Sequence, residues 1–177
     1  MNISTPQPDE VRPLQILLEQ CDMDIFDITV ATLKSFLVAR TGFDEDIAAC
    51  IRLETYGEVG LISNLAVRPT MREKKFGKQM MHSIEHRALR QDLKHLFLFA
   101  EEPIAGFFER VGYAYAEEAQ IPDVIRIQIN NIRQKFSGRC LSKIVARPVS
   151  PTVVDAELDE FFSQPIKQIP RGWKSKG

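Results

Sequence analysis

The composition of this chain is that of an ordinary globular protein. Its 177 residues are 44% hydrophobic and 27% charged, and a chain of this length can bury about 70% of its unfolded surface around a single core. A net charge of −1 without a basic face argues against a nucleic-acid partner. The apolar runs are far shorter than the roughly 20 residues that a membrane span needs, and the N-terminus shows no secretory signal pattern. We therefore expect a cytoplasmic protein with no membrane partner.

The N-terminal third predicts a strand, one or two helices and a second strand. Residues 2–5 form the first strand, and Asp9 is the expected N-cap of a first helix. Residues 22–34 suggest a second short helix, and 36–40 read as a strand. The apolar face of the first helix consists of Val11, Leu14, Ile16, Leu17 and Leu18.

Two further strands and a long helix occupy the middle of the chain. In 47–54, alternate apolar residues fall on one face at period two, which predicts a strand; they are Ile47, Ala49, Ile51 and Leu53. Tyr56 and Gly57 form a turn into a strand that ends near 67. A helix then runs from 76 to about 91, with Phe76, Met80, Ile84 and Ala88 on one face and Gly77 and Met81 beside them.

The C-terminal part alternates strands and helices. Residues 96–100 are continuously apolar, as in a strand covered on both faces. The next helix presents Ile104, Phe107, Phe108 and Val111 and stops at Gly112. A helix at 121–134 and a strand at 141–147 would complete a mixed sheet with helices on both sides. We expect one domain over 1–147 and a C-terminal extension, 148–177, whose short amphipathic helix packs on its own domain or, alternatively, forms a homodimer contact.

The segment 65–77 is the most informative part of the sequence, because an apolar strand runs through a basic turn into a helix. First-turn amides of a helix have no internal partner and lie at the positive end of its dipole, so they bind anions. Gly77 lets the chain pass close to a ligand. Cationic side chains surround this turn at Arg72, Lys74, Lys75 and Lys78. The arrangement predicts a pyrophosphate site.

Two blocks of the sequence resemble the GNAT superfamily of acyl-CoA-dependent N-acetyltransferases. In the first, Val67, Pro69, Arg72 and Gly77 stand at the places of the strand end, the proline and the R/Q-x-x-G-x-G/A turn. Lys75 occupies the place of the usual first glycine, and Glu73 replaces another common one, so the loop is stiffer and more charged than is typical. The second block is HLFLFAEEPIAGFFERVGY at 95–113. The arsenic-resistance (ArsN-type) branch and the short amino-acid acetyltransferases of the N-acetylglutamate synthase type are both similar.

This resemblance implies a fold, a co-substrate and a set of site residues. The fold is α/β, the GNAT fold, with a mixed, mostly antiparallel central sheet, a splayed fourth strand and helices on both faces. Acetyl-CoA is the co-substrate, and no metal is expected. The backbone of the fourth strand would hold the thioester and the pantetheine arm. The implied cofactor-binding residues are Leu65, Ala66, Val67, Arg72, Glu73, Lys74, Lys75, Phe76, Gly77, Lys78 and Phe108.

Acetyl transfer also requires an unprotonated amine and a stabilised leaving thiolate. Glu58, at the start of the fourth strand, is the candidate catalytic base, and Glu54 is the fallback. A water chain without a dedicated base is the alternative. Many family members use a Tyr at the place of Phe108 as general acid, and Phe cannot donate a proton. Tyr113 and Tyr115 follow a few residues later, but the thiolate can also leave unassisted, because free thiols have a pKa near 8.5.

The expected function is therefore acetyl transfer from acetyl-CoA to a primary amine of a small molecule, either an amino acid or an amine-bearing toxicant. Two alternatives remain open: a non-catalytic acyl-CoA-binding or interaction module with a degenerate site, and a protein N-acetyltransferase. The pair His82 and His86 has the spacing of two helical metal ligands but no evident third ligand. Cys21, Cys50 and Cys140 are expected to be reduced thiols.

Overall fold

The computed structural model describes residues 2–41, 46–72, 74–133 and 137–145. Glu73 and the C-terminal extension lie outside these residues, so the predicted helix of the extension is not among the described elements. The strands are β1 Asn2–Ser4, β2 Phe36–Arg40, β3 Ile47–Tyr56, β4 Val59–Val67, β5 His95–Ala100, β6 Ala114–Tyr115 and β7 Arg139–Ile144; the helices are α1 Val11–Glu19, α2 Phe76–Arg90, α3 Glu102–Arg110 and α4 Asp123–Arg133.

The strands form one mixed sheet in the order β1-β2-β3-β4-β5-β7-β6. Every neighbouring pair is antiparallel except β4 and β5, which are parallel. The parallel pair requires a crossover, and α2 supplies it. The predicted mostly antiparallel α/β sheet is confirmed.

Helices cover both faces of this sheet. Buried residues of α2 and α3 share one apolar cluster with β2, β3, β4 and β5. On the opposite face α1 packs on β2, β3 and the end of β4, whereas α4 packs on β5, β7 and the start of β4. The second face therefore carries two separate apolar clusters, which we call the α1 cluster and the α4 cluster.

The fourth strand is irregular in two ways. Its pairing with β5 ends at Ile62 and Leu98, although both strands continue, so the two strands splay apart beyond that level. Its register with β3 shifts between Cys50, opposite Ala66, and Arg52, opposite Ser63. One residue of β3, Ile51, therefore lies opposite two of β4, Asn64 and Leu65, which is a β-bulge. Asn64 has φ +51°, a conformation that asparagine tolerates better than most residues.

The predicted helix over 22–34 is wrong. This segment consists of turns followed by a 3₁₀ turn at Leu33–Ser35. The Thr32 hydroxyl accepts from the Thr29 amide and donates to the Asp27 carbonyl, and the Asp24 carboxylate accepts from the Phe26 amide. Such local side-chain bonds compete with helical hydrogen bonding.

The structure also gives the burial of β3 and α3 and the cap before α1, and two of these differ from the sequence predictions. Residues 47–53 are all buried, because β3 is a central strand with helices on both faces. Ile104 is 52% exposed, and Ala105 and Phe108 form the buried face of α3 instead. Asp9 lies within a 3₁₀ turn whose cap is Gln7, with the Gln7 amide donating to Glu10 at 2.6 Å.

Candidate functional site

The basic turn enters α2 through a left-handed residue. Lys75 is the N-cap and has φ +63°. That conformation costs a residue with a side chain about 1 kcal/mol or more, and glycine adopts it freely. The backbone at Lys75 thus takes the path that a glycine would take, and the lysine does not distort the start of the helix.

Positive charge surrounds the start of α2. Arg72, Lys74, Lys75 and Lys78 are all exposed, and none has an ion-pair partner in the described part of the chain. The amides of the first turn lie at the positive end of a 15-residue helix. These cations beside free amides favour a multiply charged anion such as a pyrophosphate.

Two residues fix where this turn lies on the domain. Phe76 is buried in the α2 and α3 cluster, so only its backbone is available to a ligand. A Cβ built on Gly77 would lie 3.2 Å from the Phe107 ring, which is tighter than ordinary packing. The absence of a side chain at Gly77 therefore allows α3 to pack close to the start of α2.

The last residues of β4 form the other part of the site. Leu65 and Val67 pack against the α2 face, while Ala66 is buried in the α1 cluster. Thiols hold two carbonyls of this stretch: Cys50 Sγ donates to the Asn64 carbonyl at 3.3 Å, and Cys21 Sγ donates to the Val67 carbonyl at 3.5 Å. The bulge is thus anchored to β3 and to the end of α1, and the edge of β4 toward β5 is unpaired from Ser63 onward.

Glu58 does not lie with these residues. It is in the turn before β4, its side chain is 65% exposed, and it forms an ion pair with Lys94. Asn64 lies six positions farther along the strand, a distance of about 20 Å. The structure brings the basic turn and the bulge together at one end of β4 and leaves Glu58 at the other end.

Sequence reasoning missed a buried arginine at the level of the bulge. Arg52 lies opposite Ser63, and its side chain is only 10% exposed. Its Nη1 pairs with Asp27, its Nη2 with Glu54 at 3.2 Å, and its Nε donates to the Ser35 hydroxyl at 3.2 Å. The sequence did carry a signal for this residue: Arg52 is the one charged residue in the seven-residue run 47–53. A charge buried in such a strand needs partners.

The aromatic residues after β5 belong to the core. Phe108 is 7% exposed and stacks edge-on against Phe107 and Tyr113, with ring centroids 5.1 and 6.4 Å apart. Burial raises the pKa of Tyr113, and the negative charge of Glu85 raises it further. The Tyr115 hydroxyl instead donates to Glu102 at 3.2 Å. Tyr113 therefore packs as a core aromatic residue.

A basic turn at a helix start, directly after a bulged strand that splays from its parallel neighbour, is the arrangement that the sequence resemblance implied. A family model described as an acetyltransferase (GNAT) domain matches residues 32–115. These residues form a GNAT acetyltransferase domain. They include β4, the basic turn, α2, β5 and α3, and so every predicted cofactor-binding residue. No curated protein sequence matches the chain significantly.

Several solved structures share this fold. N-acetylglutamate synthase from Neisseria gonorrhoeae, in complex with coenzyme A and N-acetyl-glutamate, superposes with a TM-score of 0.73 at 17% identity and covers 82% of this chain. This chain covers only 35% of that protein. A Mycobacterium tuberculosis protein in complex with CoA has a TM-score of 0.69 at 14% identity, covering 82% of this chain and 100% of its own. A Staphylococcus aureus acetyltransferase of the GNAT family has a TM-score of 0.65 at 14% sequence identity. The match covers 82% of this chain and 99% of that protein. At these identities the likeness shows the fold.

The described ranges contain neither a metal-binding cluster nor a membrane-spanning helix. No group of three or more His, Cys, Asp or Glu side chains there could hold a metal ion. None of the described helices is long and apolar enough to cross a membrane. All three cysteines are free thiols.

Proposed function

We propose that this protein transfers the acetyl group of acetyl-CoA to a primary amine of a small molecule. The observation that carries the proposal is that three features follow one another along residues 63–78: the unpaired edge where β4 splays from β5, the β-bulge, and the basic turn into α2. An elongated thioester with a charged pyrophosphate at one end needs such a sequence of features: backbone amides for its carbonyl and its arm, then cations and helix amides for its phosphates.

The chemical groups of these residues match the groups of acetyl-CoA that they would contact. Arg72, Lys74, Lys75 and Lys78, with the amides from Phe76 onward, would hold the pyrophosphate. The unpaired edge of Leu65 to Val67 would bond the pantetheine amides, as a sheet edge bonds an added strand. Solved structures of the same fold that contain coenzyme A add support. Glu73 remains a sequence-based prediction.

In the proposed reaction the nitrogen lone pair of the amine attacks the thioester carbonyl carbon. A new C–N bond forms, and the carbonyl oxygen takes up negative charge that a β4 amide near the bulge stabilises. The C–S bond then breaks, and the electron pair leaves with sulfur as the CoA thiolate. The nitrogen loses one proton to water or to a carboxylate, and the product is an amide.

Neither a dedicated acid nor Glu58 as base finds support in the geometry. Phe108 has no proton to donate, and Tyr113 is a core residue. A thiolate with a pKa near 8.5 leaves with little assistance near neutral pH. Glu58 stays a prediction from sequence, but its exposure, its ion pair with Lys94 and its distance from the bulge favour proton transfer to water.

A non-catalytic acyl-CoA-binding module is the second candidate, and the missing hydroxyl at Phe108 is the observation that favours it. The glycine-like backbone at Lys75 argues for an intact turn. The test is release of CoA thiol from acetyl-CoA in the presence of a broad amine panel, with mass spectrometry of the acetylated products. We expect release of CoA thiol that depends on an amine. If the protein binds acetyl-CoA but none of the amines causes thiol release, it is the binding module. Acetylated peptides as the only products would favour a protein N-acetyltransferase. Cytoplasmic location and a homodimer remain predictions.

A further inference from the structure

A strip of polar residues lies between the α1 cluster and the α4 cluster, on the face of the sheet opposite α2. Directly paired residues share a face, so Arg52 and Ser63 project to the same side, and Glu54 lies two residues farther along β3 on that side. None of the three belongs to either apolar cluster. Asp27, from the segment after α1, completes this strip.

The strip lies at the level where β4 and β5 splay. Arg52 is opposite Ser63, one residue before the bulge and one residue after the last β4 to β5 pair. The Ser63 hydroxyl oxygen is buried with no hydrogen-bond partner among the described residues. An amine that reaches the thioester from this face would therefore pass the strip.

The charge of the strip is negative, because two carboxylates share one arginine. All three nitrogen atoms of Arg52 are engaged, by Asp27, Glu54 and Ser35. Since this side chain is also only 10% exposed, little of the guanidinium remains available to the carboxylate of a ligand. Glu54 uses Oε1 for Arg52, and its side chain remains 30% exposed, so it can accept a further donor.

Tyr56 lies two residues after Glu54 on β3, beside the charges of the strip. Burial raises the pKa of the neighbouring Tyr56, the charge of Glu54 raises it further, and Arg52 lowers it. Asp27 is 57% exposed and adds a second negative charge at the edge of the strip.

We propose that this strip is the acceptor site, that Glu54 binds the acceptor's ammonium group, which loses one proton to water before its nitrogen attacks, and that the acceptor is an amine without a neighbouring carboxylate. An α-amino acid would place its carboxylate against Glu54 and Asp27, while the one arginine of the strip is buried and already paired, and such like-charge contacts discriminate strongly between ligands. The inference rests on the proposed function and narrows it: of the two acceptor classes that the sequence left open, it selects amines over amino acids.

The experiment compares amines with the amino acids that share their side chains: tyramine with tyrosine, histamine with histidine, and agmatine with arginine. The kcat/KM for CoA thiol release is measured for each member in the full-length protein, and the Kd of acetyl-CoA is measured by calorimetry. We expect at least one pair to be turned over, with the amine preferred by at least about tenfold.

The variants Glu54→Gln and Glu54→Asp locate the preference. Glu54→Gln should lower kcat/KM for the amine by about tenfold or more, the effect of losing a hydrogen bond to a charged group, and should narrow the gap between amine and amino acid. Glu54→Asp keeps the charge and should restore part of the preference. Glu19→Gln is the matched control, because Glu19 also pairs with an arginine at 3.2 Å but lies on α1.

The outcomes separate the two proposals. If acetyl-CoA does not bind the parent protein, both fall. If acetyl-CoA binds but amino acids are the better acceptors, or if no pair is turned over, this inference is overturned while the cofactor assignment stands. A Glu54→Gln variant that loses stability but keeps the parent's amine preference would assign Glu54 to structure alone and also overturn it.

Discussion

Replacing Lys75 separates what its side chain does from what its backbone does. Lys75 is exposed, has φ +63° and lies at the start of α2. A lysine about 4 Å from a phosphate oxygen in a water-like dielectric contributes about 1 kcal/mol. Both Lys75→Ala and Lys75→Gly should therefore raise the Kd of CoA about fivefold.

The two variants should differ in stability instead. Alanine keeps the left-handed strain of about 1 to 2 kcal/mol, whereas glycine removes it but loses about 0.5 to 1 kcal/mol through the greater freedom of the unfolded chain. We expect Lys75→Gly to be about 0.5 to 1 kcal/mol more stable than Lys75→Ala in denaturant unfolding.

Calorimetry of CoA binding at low and high salt, with urea unfolding of the same variants, measures both effects. Lys34→Ala is the matched control, because Lys34 is exposed and its carbonyl accepts from Arg87 near the far end of α2. Unchanged or tighter CoA binding by both Lys75 variants would refute a phosphate contact. Equal stability of the two would refute the left-handed backbone.

Three further predictions concern the same site. The double variant Arg72→Glu and Lys74→Glu should weaken CoA binding by about 1 to 3 kcal/mol, with a smaller effect at high salt; unchanged calorimetric affinity would remove the pyrophosphate from this turn. Glu58→Gln should keep turnover within about twofold, because its carboxylate is exposed and paired with Lys94; a fall of about 100-fold with CoA affinity unchanged would instead establish it as the base. Phe108→Tyr should change kcat little, and a large increase near neutral pH would show that thiolate departure limits the rate.

The order of elements was predictable because their patterns are local. The i, i+4 repeat from Phe76 to Ala88 predicted α2 within a residue or two, and the apolar run of β5 predicted a strand covered on both faces. The basic turn could be located from four cations and one glycine. Its left-handed backbone could not, since a lysine gives no sign of a positive φ.

The acceptor side was less predictable because it depends on pairing across strands. The place of Arg52 in the acceptor strip depends on its ion pair with Asp27, which is 25 residues away in sequence. It depends also on the strand register, which puts Arg52 opposite Ser63. The bulge has a weak local signal, an asparagine within a strand, a residue type that strands disfavour. The segment at 22–34 has apolar residues that suggest a helix, Ile25, Ile28 and Leu33. Its Asp and Thr side chains instead form hydrogen bonds with the backbone of the same segment.

The thiols that hold the bulge differ in access, and that difference provides a reporter position. Burial raises the pKa of Cys50, and Cys140 is buried too, so alkylating reagents, which need a thiolate, should react slowly with both. Cys21 is only half-buried, and its sulfur lies 3.5 Å from the Val67 carbonyl. A fluorophore attached selectively to Cys21 would replace the thiol hydrogen that bonds the Val67 carbonyl, and its emission could follow ligand arrival at the end of β4 without a substitution in the basic turn.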